Sequence, residues 1–301
     1  MFDYNQTRVT EFQLLGFPNL YKLRFLLFML LLAIYITTLT GNLVIITMVS
    51  TNHNLQSPMY FFLSHLSSTE IMSTTNIIPK MLQVLLLEAS TLSFTECMTQ
   101  FYFFSALTNT ECFLLAVMSY DRYLAICNPL RYTSIMNFKL CLYLVFLSWF
   151  SGLFVTLIIT NLISKLHFCG PNIIDHFFCD LFPLLKLSCS DTFMVEIQAS
   201  VFSVPVIVIP FIFITASYII IYLAIIKISS LERQKAFSTC SSHLVVVCTY
   251  YGTLISVYLV PSKGDSVNIK KVLSLLYIVV TPLLNPIIYS LRNKEIKLAI
   301  V

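Results

Sequence analysis

A bundle of seven membrane-spanning helices is the fold class this sequence predicts, and three observations predict it. The first is composition: of 301 residues, 57% are hydrophobic and only 11% charged, with a mean hydropathy of +0.84. A soluble domain is nearer half apolar and about one quarter charged, so these charges cannot cover an aqueous surface. The second is the length of the charge-free gaps. There are 28 residues between Arg24 and His53, 25 between Lys139 and Lys165, 30 between Glu196 and Lys227 and 20 between Lys271 and Arg292. Each matches the roughly 20 residues that cross a bilayer as a helix. The third is a set of windows in which an apolar stretch carries isolated ionisable groups. These are Pro58–Leu87 with Glu70 and Lys80, Cys97–Cys127 with Glu111 and an Asp121-Arg122 pair, and Gln234–Val260 with His243. The strand alternation of a membrane barrel is absent.

Seven spans put the two termini on opposite sides. Lysine and arginine do not say which, because nine flank the spans on each side and the positive-inside rule needs an excess. Cysteine does. Cys97, Cys169, Cys179 and Cys189 gather on the face of the amino terminus, as expected in an oxidising compartment. Asn5-Gln6-Thr7 on the same side is a glycosylation sequon, with Asn5 the acceptor. The amino terminus is therefore expected outside. Cys112, Cys127, Cys141, Cys240 and Cys248 fall in or beside helices and read as small reduced apolar residues. His176 with Cys169 and Cys179 leaves a soft-metal site open as an alternative to disulfides.

No cleavable leader pattern is visible and the first span is expected to serve as its own insertion signal. No internal repeat or long linker divides the chain, so one domain is expected over residues 1–301. Its parts are an outer amino terminus (1–24), a long second outer loop (164–195) and an inner tail (291–301). In the tail, Ile296 and Ile300 against Lys294 and Lys297 predict a short amphipathic helix on the membrane surface. A net charge of +4, dispersed along the chain, does not suggest nucleic acid. Ser242-His243 are neighbours and point in different directions on a helix, so no nucleophilic triad and no enzyme is indicated. The halves lack the correspondence of an inverted-repeat transporter.

Longer strings are more specific. Gly41-Asn42 in the first span and Asn285-Pro286-Ile287-Ile288-Tyr289 in the seventh resemble the rhodopsin-like G-protein-coupled receptors. PMYFFLS at 58–64, MSYDRYLAICNPLRY at Met118–Tyr132, KAFSTCSSHL at Lys235–Leu244 and PLLNPIIYSLRN at Pro282–Asn293 resemble the odorant receptors within them, as does FCGPNIIDHFFCD at Phe168–Asp180. The resemblance runs from Thr10-Glu11-Phe12 to the end of the chain. It implies a plasma-membrane receptor for a small neutral volatile odorant, coupled to a stimulatory heterotrimeric G protein and raising cAMP. It further implies disulfides Cys97–Cys179 and Cys169–Cys189, among the three pairings four cysteines allow.

The same resemblance assigns roles at the inner face. Asp121 holds Arg122, beside Tyr123, until the sixth span moves. Lys235 and His243 border the cleft that movement opens, and Tyr289 swings in where Pro286 kinks the seventh span. Mid-membrane, Glu70 and Glu111 with Asn42 and Asn285 are expected to enclose a sodium ion, or else to hold shared protons. Related receptors more often carry aspartate at the Glu70 position.

For the outer half of the third span, helical period puts Phe101, Phe104, Ser105, Thr108 and Cys112 on one stripe with Asn109 adjacent. Phe202, Val206 and Ile207 on the fifth span and Tyr251, Leu254, Ile255 and Tyr258 on the sixth are expected opposite, with Ile278 closing the floor. Such a pocket holds a few hydroxyls and one amide and offers no acid on the third span for a cationic amine. One departure matters. The tryptophan and proline common in the sixth span of related receptors are replaced by Tyr250-Tyr251-Gly252, and the single tryptophan, Trp149, is in the fourth span.

Overall fold

The computed structural model describes residues 9–16, 22–87, 89–169, 171–227, 230–258 and 266–292. Seven long helices form the spans: α1 (Arg24–Thr51), α2 (Pro58–Leu87), α3 (Phe94–Cys127), α5 (Phe138–Ser164), α7 (Phe193–Ile225), α8 (Ser230–Tyr258) and α9 (Ser266–Arg292). Two short helices, α4 (Pro129–Ile135) and α6 (Leu181–Lys186), lie in the connections after α3 and α5. Six of the long helices are apolar enough to cross a membrane by length and composition. The seventh, α2, is long enough but richer in Ser and Thr. Packed against α1, α3 and α9, it buries Ser67, Thr69, Glu70, Ser73 and Thr74 against them. A helix shielded on several sides does not have to present apolar residues all round.

Lipid-facing surfaces are plain on α1, α5 and α7. Phe146, Phe150 and Phe154 on α5 are more than half exposed, one turn apart, with ring centroids 5.9 and 5.7 Å apart. In water such a patch would drive association; in a bilayer it meets acyl chains. α3 is the central rod, packed on α2, α5 and α7. It meets α5 tightly at Gly152, where a Cβ would stand 2.6 Å from the Ala106 carbonyl and closer still to the Thr110 hydroxyl. Only glycine lets the two backbones meet there.

The outer ends of several spans extend past the charge-free gaps. α9 begins at Ser266, so Lys271 is inside the helix rather than in a loop, and it is 2% exposed. A gap bounded by charges marks the apolar part of a helix and not its ends, because a long side chain can carry its charge back to a partner. Here Lys271 Nζ lies 2.5 Å from Asp175 Oδ1 and donates to the Gly16 carbonyl.

Among the described residues one small sheet interrupts the helical fold. β1 (Glu11–Leu14) pairs antiparallel with β2 (Ser90–Ser93) and parallel with β3 (Ile173–Ile174). Phe12 is fully buried, with its ring centroid 6.2 Å from Phe94 and 5.5 Å from Phe168. The amino-terminal segment is thus a lid strand under which a second apolar cluster forms, including Leu14, Val84, Leu92, Phe101 and Ile174. It leaves β1 through Gly16, whose φ of +61° is the left-handed conformation that glycine adopts freely. Asn5, residues 293–301, and the side chains of Lys235 and Tyr258 lie outside the described residues.

Disulfides join Cys97 to Cys179 and Cys169 to Cys189, with Cα atoms 5.6 and 5.9 Å apart. These are the pairings the resemblance implied. They engage both thiols of the alternative His176 metal set, and among the described residues no three His, Cys, Asp or Glu side chains gather around a metal-sized centre.

Candidate functional site

Below the sheet, the outer half of the bundle holds a partly open cavity of about 200 Å³. Pockets for drug-sized ligands are roughly 300–1,000 Å³, so this one is smaller. α3 presents Phe101, Phe104, Ser105, Thr108 and Asn109 to it, one stripe at three- and four-residue steps. Ile207 of α7 and Leu254 of α8 face them.

The other expected lining residues lie nearby but elsewhere. Cys112 is fully buried one turn further in, its sulfur 3.5 Å from the Tyr250 hydroxyl. Tyr251 donates to the Cys112 carbonyl at 3.3 Å and rests its ring on Phe211. Ile278 and Val206 are buried in the bundle, while Ile255 and Phe202 pack at its edges.

Sequence reasoning missed one wall. Glu196, Ala199, Ser200, Ser203 and Val204 on α7 line the cavity, as do Ile159 on α5 and Asp180, Leu181, Phe182 and Leu185 at α6. Stepping back from Ile207 by three and four residues would have found the α7 set. The α6 residues had no such signal, because the loop's path over the cavity is set by Cys97–Cys179. Two carboxylates therefore stand at the outer rim. Asp180 Oδ1 accepts from the Leu181 N–H at the start of α6, and Glu196 Oε1 accepts from the Thr192 hydroxyl.

Polar groups around the cavity are held by protein. Asn109 donates to Thr156 at 3.0 Å, fastening α3 to α5. Gln100 accepts from the Cys179 N–H and donates to the Asn76 carbonyl, joining the loop, α3 and α2. Above the cavity, burial beside the Lys271 ammonium drives the His176 imidazole down to about 3, so it is neutral at ordinary pH.

Lower in the membrane, Asn285 Nδ2 donates to Glu70 Oε1. Asn42 Nδ2 donates to the Pro282 carbonyl at 3.2 Å. The second bond has a covalent cause: Pro286 has no N–H to give the carbonyl four residues back, and Asn42 supplies the missing donor. Gly41 lets α1 come that close, since a Cβ there would be 3.0 Å from the Pro286 ring. Glu111 is buried on the facing helix. Glu70 Oε2, Asn42 Oδ1 and Asn285 Oδ1 are buried oxygens without a hydrogen-bond partner among the described residues. Carboxylate and amide oxygens are the donors a hard cation takes, so this set fits a sodium ion.

At the inner end, Arg122 Nε donates to Asp121 Oδ2 at 2.9 Å and a second guanidinium nitrogen reaches the same oxygen. Tyr132 of α4 donates to Asp121 Oδ1 at 2.8 Å. That partner places the connection after α3 against the ion pair, and burial beside Asp121 raises the Tyr132 phenol above its ordinary range. His243 Nδ1 and the Tyr218 hydroxyl are 2.7 Å apart, bridging α8 and α7. Tyr289 is buried, its hydroxyl without a partner among the described residues. Tyr123 is half-buried, its ring stacked on Tyr120.

A seven-helix membrane bundle with a cavity in its outer half and a paired arginine at the inner end of its central helix is the architecture of a heptahelical receptor. Comparison with known proteins narrows the class. Residues 31–301 match the olfactory receptor family model. The chain is 50% identical to human Olfactory receptor 11L1 over 98% of its own length and 92% of the relative's. It is 51% identical to human Olfactory receptor 10A7 (98% and 94%) and 46% identical to rat Olfactory receptor 1500 (99% and 96%). The chain belongs to the olfactory receptor family, G-protein-coupled receptors of the plasma membrane and not enzymes.

Proposed function

We propose that the chain binds small neutral volatile odorants in the outer cavity and activates a stimulatory heterotrimeric G protein, raising cAMP. One observation carries this reading: a single helix, α3, lines the cavity at Thr108 and ends in the Asp121–Arg122 pair. The 14-residue step from Thr108 to Arg122 rises about 21 Å along the helix, so a ligand and an effector protein touch the same rod. The cavity walls are mostly Phe, Ile, Leu and Val, and α3 brings no acid to them. The rim carboxylates Asp180 and Glu196 already accept hydrogen bonds at helix starts, which favours a neutral ligand over a cationic amine. Dispersion contacts of about 0.1–0.2 kcal/mol per atom pair and a small ligand imply micromolar or weaker binding.

Sodium at Glu70, Glu111, Asn42 and Asn285 is part of the proposal, favoured by the three unpartnered oxygens there. A non-olfactory chemoreceptor would have the same geometry and differ only in where it is expressed. A transporter would need a continuous polar path.

The test is cAMP in cells expressing the chain, challenged with neutral volatiles, beside Arg122→Ala matched for surface expression. A dose-dependent rise that the variant loses supports the reading. Ligand-driven ion flux with no G-protein response would replace it by transport.

A further inference from the structure

Beneath the cavity, three helices meet at one threonine. The Thr108 hydroxyl accepts from Tyr277 of α9 at 3.0 Å, while the Thr108 carbonyl accepts from Tyr250 of α8 at 2.6 Å. The two tyrosine rings touch at 5.6 Å between centroids, and Phe104, one turn above Thr108, packs on Tyr277 at 6.1 Å. Both tyrosines are at most 5% exposed, and neither lines the cavity. Thr108 does line it. It is therefore the residue through which cavity contents can reach α8 and α9 by hydrogen bonds.

The hydroxyl proton of Thr108 sharpens this. Helix threonines in this chain commonly return that proton to a carbonyl one turn back: Thr110 to Ala106 at 2.9 Å, Thr74 to Glu70 at 2.7 Å and Thr249 to Val245 at 2.8 Å. Thr108 makes no such bond among the described residues; its oxygen accepts and its proton remains to be given. A hydroxyl that already accepts is polarised into a better donor. Its natural complement in the cavity is an oxygen acceptor.

We propose that Thr108 is the sensing residue of the receptor: it donates to the oxygen of a carbonyl- or ether-type ligand, and its acceptance from Tyr277 passes that contact to α8 and α9. The inference rests on the outer cavity being the odorant site, and it adds the ligand's polar chemistry and the route of the signal. Turning Thr108 toward a ligand oxygen realigns the lone pair that Tyr277 uses. Tyr277 and Tyr250 pack edge to face, so a shift in one moves the other. Because α8 carries His243 and α9 carries Tyr289, both against the inner end of α3, the node stands between cavity and effector face.

The experiment uses the full chain with surface expression matched across wild type, Thr108→Val, Thr108→Ser, Tyr277→Phe and the Thr108→Val/Tyr277→Phe double variant. Probes are straight-chain ketones and esters, and the readouts are G-protein activation with and without probe. Valine keeps the shape and loses the proton, so ketone potency should fall about tenfold, the worth of one ordinary hydrogen bond. Serine should restore it. Thr108→Val and Tyr277→Phe should each shift ligand-free activity in the same direction, and the double variant no further than either. Ketone potency unchanged in Thr108→Val, or additive ligand-free shifts in the double variant, would overturn the proposal. A wild type silent to every probe would count against the odorant reading itself, and the ligand-free arm would still decide the node.

Discussion

The outer and inner halves of the bundle are built from the same kinds of residue and treat their buried polar groups differently. In the outer half, Gln100, Thr108 and Asn109 each find a protein partner on a different helix or loop. From mid-membrane inward, Asn42 Oδ1, Glu70 Oε2, Thr281 Oγ1, Asn285 Oδ1, His243 Nε2 and Tyr289 Oη have none among the described residues, against Thr160 Oγ1 and His176 Nδ1 in the outer half. A buried polar atom left unpaired costs about 1–3 kcal/mol, and such groups concentrate where a structure stores strain or takes in ions and water. The lesson is a division of labour by degree: the outer half is the more fastened frame around a small cavity, and most of the buried groups with something to gain by moving lie from mid-membrane inward.

The largest expected effect strikes the frame. Gly152→Val should clash with the Ala106 backbone and Thr110, neither of which can move without opening α3 from α5. Overpacking of this kind costs about 3 kcal/mol, seen as loss of surface expression and a lower melting temperature of purified receptor. A melting temperature like wild type would show that the α3–α5 contact is looser than the geometry says.

Next is the joint between the halves. Asn42→Leu removes the donor that serves the Pro282 carbonyl, stranding a buried oxygen at about 1–3 kcal/mol. The same variant should abolish any sodium-dependent rise in melting temperature, which wild type is expected to display over choline controls. Stability lost with the sodium effect intact would separate the two roles.

A pH experiment distinguishes the lid from everything below it. His176 is held near 3 against an ordinary 6.5, so between those values the unfolded chain takes up a proton that the folded chain refuses. Stability is then complete above about pH 6.5 and declines as the medium is acidified toward 3. At pH 5 the loss is about 2 kcal/mol. Lys271 and Asp175 face the same region. His176→Phe should flatten the acid limb of a melting-temperature profile; a limb that stays as steep would assign it to other groups.

The smallest effect should come from the lid's ion pair. Asp175 is 57% exposed on its side chain, and partly solvated pairs contribute about 0.2–1 kcal/mol. Asp175→Asn should shift melting by no more than a few degrees, and less in high salt. A larger shift would mean that the buried Lys271 depends on this partner far more than on the Gly16 carbonyl.

Much was legible in one dimension. Hydropathy and charge spacing defined seven spans because a bilayer penalises each misplaced charge by itself, with no reference to tertiary neighbours. The α3 stripe Phe101–Asn109 was legible because helical period is local, and the inner Asp121–Arg122 pair because adjacent residues need no fold to meet. What the sequence left undecided depends on contacts between distant segments. Nothing near Glu11–Leu14 said that four residues would pair with both Ser90–Ser93 and Ile173–Ile174, since strand partners are set by what the loops bring alongside. The α6 wall of the cavity follows from the path of a disulfide-tied loop, and the burial of Lys271 from a partner 96 residues away. Asn42 could be read as a motif, but its task could not. That task exists only because Pro286 leaves a carbonyl bare on another helix, and only the packing of α1 on α9 brings the amide to it.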